Sequence, residues 1–155
     1  MTDEYGDIRI LCAREYLRQL AELRQREETA LDVLRARFTE LDGLRSIDYS
    51  AIRAASGEYG LPPQWDVFEV SRSTYDTLRA ARQDMEAEVH GRIASMECDE
   101  TLKRILIDRY ICGRRIPEIA DRIGYTERET YRKHRQALLT LYRYLPTQYR
   151  VPTAT

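Results

Sequence analysis

The amino-acid sequence predicts an all-α fold in which two long helices precede a compact group of short ones. Residues 7–41 contain no Pro or Gly and are rich in Leu, Arg, Glu, Gln and Ala, all good helix formers. In two long segments the apolar residues recur at intervals of three and four, as in an amphipathic helix. From residue 99 onward, Gly and Pro divide this pattern into pieces that suit short helices.

The first long helix is predicted over residues 7–41. Its apolar residues form a seam, meaning a line along one face that a partner helix can cover. Polar Arg24 and Glu27 occupy two positions of this seam. Its apolar positions are Ile10, Ala13, Leu17, Leu20, Leu31, Leu34, Phe38 and Leu41.

A loop is predicted over about residues 42–66, with a short helical turn over residues 49–55, because this stretch contains three Gly and two Pro residues. A second helix is predicted over residues 71–96. Its seam is interrupted by Arg82 and Arg92. Two such helices pair antiparallel within one chain or associate between chains, so a hairpin and a homodimer both remain open.

The composition favours a soluble, cytoplasmic protein. Cys12, Cys98 and Cys112 are odd in number and far apart, which indicates reduced thiols rather than a disulfide framework or a zinc site. No apolar run approaches the roughly 18 residues that cross a bilayer. The acidic amino terminus does not resemble a signal peptide. We therefore expect no membrane association.

The charge is unevenly divided along the chain. Residues 98–155 hold 12 Lys and Arg against 7 Asp and Glu, whereas the preceding residues hold 13 against 19. A basic module of net charge +5 thus follows an acidic one of −6. Such asymmetry is typical of nucleic-acid contact at one end of a protein.

Three short helices are predicted in the basic module. Gly113 ends the first, because a helix often closes with a Gly of positive φ. Pro117 opens the second, since the first helical position does not need an amide hydrogen. Gly124 ends the second, and Ala120, four residues earlier, is small enough for a close helix crossing. This spacing matches the helix-turn-helix pattern.

The third short helix has a defined start at Thr126. The sequence T-E-R-E predicts a capping box, in which the Thr126 hydroxyl bonds the Glu129 amide and the Glu129 carboxylate reaches back to the Thr126 amide. The helix can run to about Tyr144. Lys133 follows Glu129 by four residues, which favours an ion pair between them.

Helical phase separates this helix into two faces. We expect His134 to be a hydrogen-bonded structural residue on the inward face. The basic outward face carries Arg128, Arg132 and Arg135, with Tyr131 at its margin. The inward stripe is Thr130, His134, Ala137, Leu138, Leu141 and Leu145.

The run LKRILIDRYICGRRIPEIADRIGYTERETYRKHRQALLTL, residues 102–141, resembles region 4 of bacterial sigma factors. It is more similar to phage-encoded late-gene transcription regulators of the RinA and ArpU type. The matching elements are RYICGR, EIADRIGY and TYRKHRQAL. The chain departs from the pattern at Ile116-Pro117, where a hydroxyl residue is common, and at Thr130, where Val or Ile is usual.

The resemblance implies a double-stranded DNA-binding regulator of phage or prophage promoters, with possible contact to RNA polymerase. Residues 98–150 would be the DNA-binding domain, residues 1–97 a helical hairpin and possible oligomerisation region, and residues 151–155 a tail. A helix of this width fits the major groove. We expect DNA contacts from Arg128, Tyr131, Arg132, Arg135, Arg114, Arg115 and Glu127. For Glu127, stabilisation of the helix N-terminus is the favoured explanation.

An enzyme is not expected, because the sequence has no Gly-rich phosphate loop, HExxH motif or plausible Ser-His or Cys-His pair. The same reasoning predicts no cofactor and no metal. The main alternative is a DNA-packaging protein like the phage small terminase subunits, which also combine a helix-turn-helix with helical oligomerisation segments. A helical adaptor that binds no DNA is a third possibility.

Overall fold

The computed structural model of the chain describes residues 4–44 and 63–151. These residues contain five α-helices and no strand, which confirms the all-α fold class. A π-helical turn, Ile107–Ile111, continues α3, and a 3-10 turn, Thr147–Tyr149, follows α5. The helices are α1 (Glu4–Leu44), α2 (Pro63–Ala94), α3 (Glu100–Leu106), α4 (Ile116–Ile123) and α5 (Glu127–Tyr142).

The predicted loop over residues 42–66 is wrong at both ends. The first helix continues to Leu44, and the second begins at Pro63 rather than at Ser71. Proline suits the first turn of a helix, because its φ is already helical and the amide there has no intrahelical partner. The short helical turn predicted over residues 49–55 lies outside the described residues.

The chain divides into two compact units whose boundaries fall inside the long helices. The first unit is Met1–Glu22 with Gln83–Thr155, and the second is Leu23–Arg82. This division differs from the boundary predicted between residues 97 and 98. The reason is that the beginning of α1 and the end of α2 share one hydrophobic core with the short helices.

The core of the first unit combines α1, α2, α3 and α5. Its buried residues are Ile10, Ala13, Tyr16, Leu17, Leu20, Val89, Ile93, Met96, Leu102, Leu106, Ala137, Leu138, Leu141 and Leu145. The four α1 positions predicted for this part of the seam, Ile10 to Leu20, are all among them. Burial of this apolar surface fixes α5 against the long helices.

Tyr16 brings polar contacts into this core. Its hydroxyl donates to Oε1 of Glu88 at 3.3 Å, and the Arg92 guanidinium lies 5.9 Å from the centre of its ring. Burial, and then the Glu88 carboxylate, raise the pKa of Tyr16 to about 12. Arg92 also donates to the carbonyl of Tyr144 at 2.8 Å. The Arg92 that interrupts the predicted seam therefore has structural partners.

The second unit pairs α1 and α2 antiparallel within one chain. Arg82 donates to both carboxylate oxygens of Glu27, at 2.6 and 3.2 Å, so two polar seam residues meet each other. This arginine holds the pKa of Glu27 below its ordinary value. Further along, the rings of Phe38 and Phe68 are 6.3 Å apart. Phe38 remains 53% exposed, more than its seam position predicts.

The described helices include none that is both long and apolar enough to span a bilayer.

Candidate nucleic-acid interface

The turn between α4 and α5 depends on a left-handed residue. Gly124 has φ +77°, a conformation that side chains with a Cβ rarely adopt. Its amide and that of Tyr125 both donate to the carbonyl of Ala120, at 3.0 and 3.1 Å. Ala120 is 2% exposed, in agreement with the predicted close helix crossing. The chain is thus redirected within three residues into the start of α5.

Thr126 caps α5 as predicted, but the capping box is only half formed. The Glu129 amide donates to the Thr126 hydroxyl at 3.2 Å. The predicted return bond from the Glu129 carboxylate to the Thr126 amide is absent from the described contacts. That carboxylate lies instead 3.6 Å from the Arg132 guanidinium. Since Glu129 and Arg132 are one turn apart, their charges attract along the outer surface of the helix.

The inward stripe of α5 is confirmed. Thr130, His134, Ala137, Leu138 and Leu141 are buried along the helix, and Leu145 is buried just after it. Thr130 is the polar residue at the start of this stripe, and its hydroxyl is satisfied by donating to the carbonyl of Thr126 at 2.8 Å. A buried polar group with such a partner avoids most of the cost of desolvation.

The outward face of α5 exposes the predicted basic residues. Arg128, Arg132 and Arg135 are all exposed, and Tyr131 is 55% exposed. The side chain of Arg132 is 73% exposed despite its contact with Glu129. Glu127 is also exposed, in the first turn, where a carboxylate stabilises the positive end of the helix dipole. One side of α5 therefore carries three guanidinium groups facing solvent.

The ion pair predicted between Lys133 and Glu129 is wrong. The Lys133 ammonium lies 5.0 Å from the centre of the Tyr125 ring. An ammonium over an aromatic face is attracted by the negative face of the ring. Because Tyr125 belongs to the turn before α5, Lys133 links the turn to the helix.

His134 has the structural role predicted for it. Its Nε2 is 2.9 Å from the Tyr110 hydroxyl, and the two rings stack with centres 5.7 Å apart. Burial, followed by the positive charges of Arg14 and Arg109, lowers the pKa of His134 to about 4. The imidazole is therefore neutral at pH 7, and it joins α5 to the π-helical turn.

The two arginines that precede α4 have different surroundings. Arg114 donates to the carboxylate of Asp108 at 2.8 Å, and its side chain is 32% exposed. The side chain of Arg115 is 80% exposed and lies 3.6 Å from Glu118. Arg115 is thus accessible to an external phosphate, whereas part of the charge of Arg114 is engaged inside the protein.

Asp108 is a site residue that the sequence reasoning missed. It is only 5% exposed, and three arginines surround it: Arg114 at 2.8 Å, and Arg104 and Arg122 with their Nε atoms 3.9 Å from Oδ2. The carbonyl of Asp108 also accepts the amide of Arg114 at 2.9 Å. Arg104 lies one helical turn before Asp108, but Arg114 and Arg122 come from later stretches of sequence that no local pattern connects to this aspartate. The carboxylate holds the start of α4 against the π-helical turn.

A cleft of about 690 Å³ opens beside α5 in the first unit. We call it the arginine cleft. A smaller cleft of about 420 Å³ shares Arg14, Tyr131 and His134 with it and adds Arg135. The charged and aromatic side chains that line the arginine cleft are Arg14, Arg18, Arg109, Tyr110, Arg115, Tyr131 and His134. The sequence reasoning did not identify Arg14, Arg18 or Arg109.

No family model, curated protein or solved structure matches this chain. Within residues 4–44 and 63–151, no group of three His, Cys, Asp or Glu side chains is arranged to hold a metal ion.

Proposed function

We propose that this chain is a sequence-specific DNA-binding transcriptional regulator that reads the major groove with α5. The observation that carries the proposal is the division of α5 into a buried stripe and an exposed face with Arg128, Arg132 and Arg135. A helix held by one face and basic on the other is suited to enter a groove lined by phosphates. On this proposal α4 and α5 form the helix-turn-helix.

The residues of α5 would divide their roles by position along the helix. The amino-terminal residues of a recognition helix meet base edges first, so Arg128 and Arg132 would reach bases or nearby phosphates. The guanidinium fork suits the two acceptors of guanine. Tyr131 would pack on a thymine methyl or bond a phosphate, and Arg135 would follow the backbone. Arg115, with its side chain 80% exposed, would contact phosphate beside α4.

The biological setting in this proposal comes from the sequence resemblance alone. The similarity of residues 102–141 to sigma region 4 and to the RinA and ArpU type of regulator supports phage or prophage promoters as targets. It also supports RNA polymerase as a partner. Dimerisation through α1 and α2, and a cytoplasmic location, belong to the same proposal.

Selection of bound sequences from a random DNA pool, followed by affinity measurements on the selected site, tests this function. We expect Arg128→Ala or Arg132→Ala to weaken binding by about 1–3 kcal/mol and to relax the preference for a base if the arginine reads one. If the arginine contacts only phosphate, the salt dependence of binding becomes shallower instead. Arg72→Ala removes an exposed arginine from α2 and serves as the matched control.

Two results would contradict the proposal. One is a wild-type protein that selects no sequence and binds no duplex DNA. The other is unchanged binding in both α5 variants. A mass measurement on the same sample separates a promoter regulator, expected as a monomer or dimer, from a packaging protein that forms a ring of higher order.

A further inference from the structure

The lining of the arginine cleft carries charge of one sign only. Four arginines contribute to it, and no Asp or Glu does. The chain as a whole has almost equal numbers of basic and acidic residues, 25 and 26, so this separation is local. A cleft lined by one sign of charge concentrates the electric field and raises the local concentration of counter-ions. The arginine cleft therefore attracts anions.

Two of the four arginines are already matched by carboxylates nearby in the sequence. Arg18 forms ion pairs with Glu15 at 2.6 Å and with Glu22 at 2.5 Å. Arg115 lies 3.6 Å from Glu118. These carboxylates reduce the charge that Arg18 and Arg115 offer to a ligand.

Arg14 and Arg109 differ from Arg18 and Arg115. In the described part of the chain neither forms an ion pair with a carboxylate, and both side chains are exposed. Arg109 donates one bond to the carbonyl of Arg114 at 3.3 Å. Burial is the main cause of the lowered pKa of His134, and the positive charges of both arginines lower that pKa further, so both act on the same histidine of the cleft lining. Two charges from different helical segments thus converge without a carboxylate to balance them.

The chemistry of these groups selects a particular anion. A guanidinium offers a planar fork of N–H donors that matches phosphate oxygens, and Arg is over-represented where phosphate is bound. The hydroxyl of the exposed Tyr131 on the same lining adds a hydrogen-bonding group. A volume of about 690 Å³ is also large enough for the remainder of a phosphate-bearing molecule.

We propose that the arginine cleft is a phosphate-binding site in which Arg14 and Arg109 hold the phosphate oxygens. The phosphate belongs either to the DNA backbone, passing from α5 toward α1, or to a small organic phosphate that occupies the cleft. Only the DNA source rests on the proposed function.

Calorimetric titration of the full chain with sodium pyrophosphate, at constant ionic strength set with sodium chloride, tests the site without DNA. We expect saturable binding to the wild type and at least tenfold weaker binding to the Arg14→Ala/Arg109→Ala double variant. Arg26→Ala, which removes an exposed arginine from α1 outside the cleft, is the matched control and should bind as the wild type does. Thermal melting of each variant verifies that the fold is retained.

The dependence of DNA affinity on salt distinguishes the two sources of phosphate. Each phosphate contact contributes about 0.9 to the slope of log affinity against log salt concentration. If the cleft holds the DNA backbone, the double variant should lose about 1 to 2 units of slope on every sequence tested. If it holds a small phosphate, the DNA slope should stay unchanged while pyrophosphate binding is lost.

The proposal is overturned if the double variant matches the wild type both in pyrophosphate binding and in DNA slope. It is also overturned if the Arg26→Ala control loses as much pyrophosphate affinity as the double variant does. A wild type that binds pyrophosphate through Arg14 and Arg109 but binds no DNA would remove the proposed function and leave the phosphate site standing.

Discussion

A buried imidazole connects α5 to the π-helical turn, and its protonation is linked to folding. The folded protein keeps His134 neutral down to a pKa of about 4, whereas a histidine in the unfolded chain has a pKa near 6.5. Above pH 6.5 both states are neutral, so this residue adds no pH dependence. Between about pH 6.5 and 4 only the unfolded state gains the proton, and the folded state loses relative stability as the pH falls.

Replacement of His134 by Gln should remove this pH dependence while keeping a polar partner for Tyr110. Between pH 6.5 and 4.5 the wild type should lose about 2 kcal/mol more unfolding free energy than His134→Gln. Urea denaturation at several pH values measures the difference. His90 is exposed on α2, so His90→Gln should follow the wild-type curve. Parallel curves for wild type and His134→Gln would rule out the linkage.

Asp108 is the second residue on which the short helices depend. Asp108→Asn keeps the shape of the side chain but removes the charge that balances Arg104, Arg114 and Arg122. We expect the unfolding free energy to fall by about 1–3 kcal/mol, because three guanidiniums would then lack their shared carboxylate. The melting temperature measures the effect, with Asp121→Asn on the exposed side of α4 as the control. Equal losses in both variants would contradict a role for the buried carboxylate.

The individual residues also show where reasoning from sequence succeeds and where it fails. The stripe from Thr130 to Leu145 follows from helical phase alone, and the buried residues agree with it. The partner of Lys133 does not follow, because an i,i+4 rule ignores the aromatic ring that the turn places beside it. The role of Asp108 could be predicted only in part, since the i,i+4 spacing offers Arg104 as a partner but nothing local shows that Arg114 and Arg122 also converge on it.

Among the elements, the turn between α4 and α5 has the strictest backbone requirement. Gly124→Ala places a Cβ on a residue with φ +77°. We therefore expect the unfolding free energy to fall by about 1 kcal/mol, although the space around the site is open. Gly91 lies inside α2, also in open space, so Gly91→Ala should instead stabilise the protein by about 0.5–1 kcal/mol. Chemical denaturation of the two variants provides the comparison. The same sign of change in both would contradict a conformational cause.

The ends of the elements were predicted with uneven success, for physical reasons. Gly113 and Gly124 both have positive φ in the structure, as expected of residues that close helices. The start of α2 is not located by the sequence, because Pro63 suits a loop and a first helical turn alike. A residue that suits both roles does not locate a boundary by itself.

At the scale of the molecule, the pairing of Glu27 with Arg82 defines the antiparallel arrangement of the second unit. Like charges come together if Glu27→Arg or Arg82→Glu is made alone. We expect each variant to lower the unfolding free energy by about 1–3 kcal/mol. The double exchange should recover most of this loss. Unfolding free energies of the four proteins complete the cycle.

A mixture of the two single variants is the control for this exchange. Because the pair lies within one chain, mixing should recover nothing. Recovery on mixing would mean that the contact forms between chains in solution.

The sequence does not distinguish a hairpin within one chain from a homodimer, because an apolar seam is equally able to face a helix of its own chain or of another. It also placed a domain boundary at residues 97 and 98, where the periodicity changes. The structure instead divides within α1 and α2, since Tyr16, Leu20 and Val89 pack with the short helices. Periodicity reports which face of a helix is covered but not which element covers it.

The π-helical turn at Ile107–Ile111 has a consequence for how this chain should be aligned with others. Its Cys112 amide bonds the Ile107 carbonyl five residues earlier, where an ordinary α-helix would bond across four. The turn therefore holds one residue more than the helix it replaces. An alignment with a protein whose helix is regular at this point needs a one-residue gap within the turn, or the residues on one side of the turn will be matched to the wrong positions.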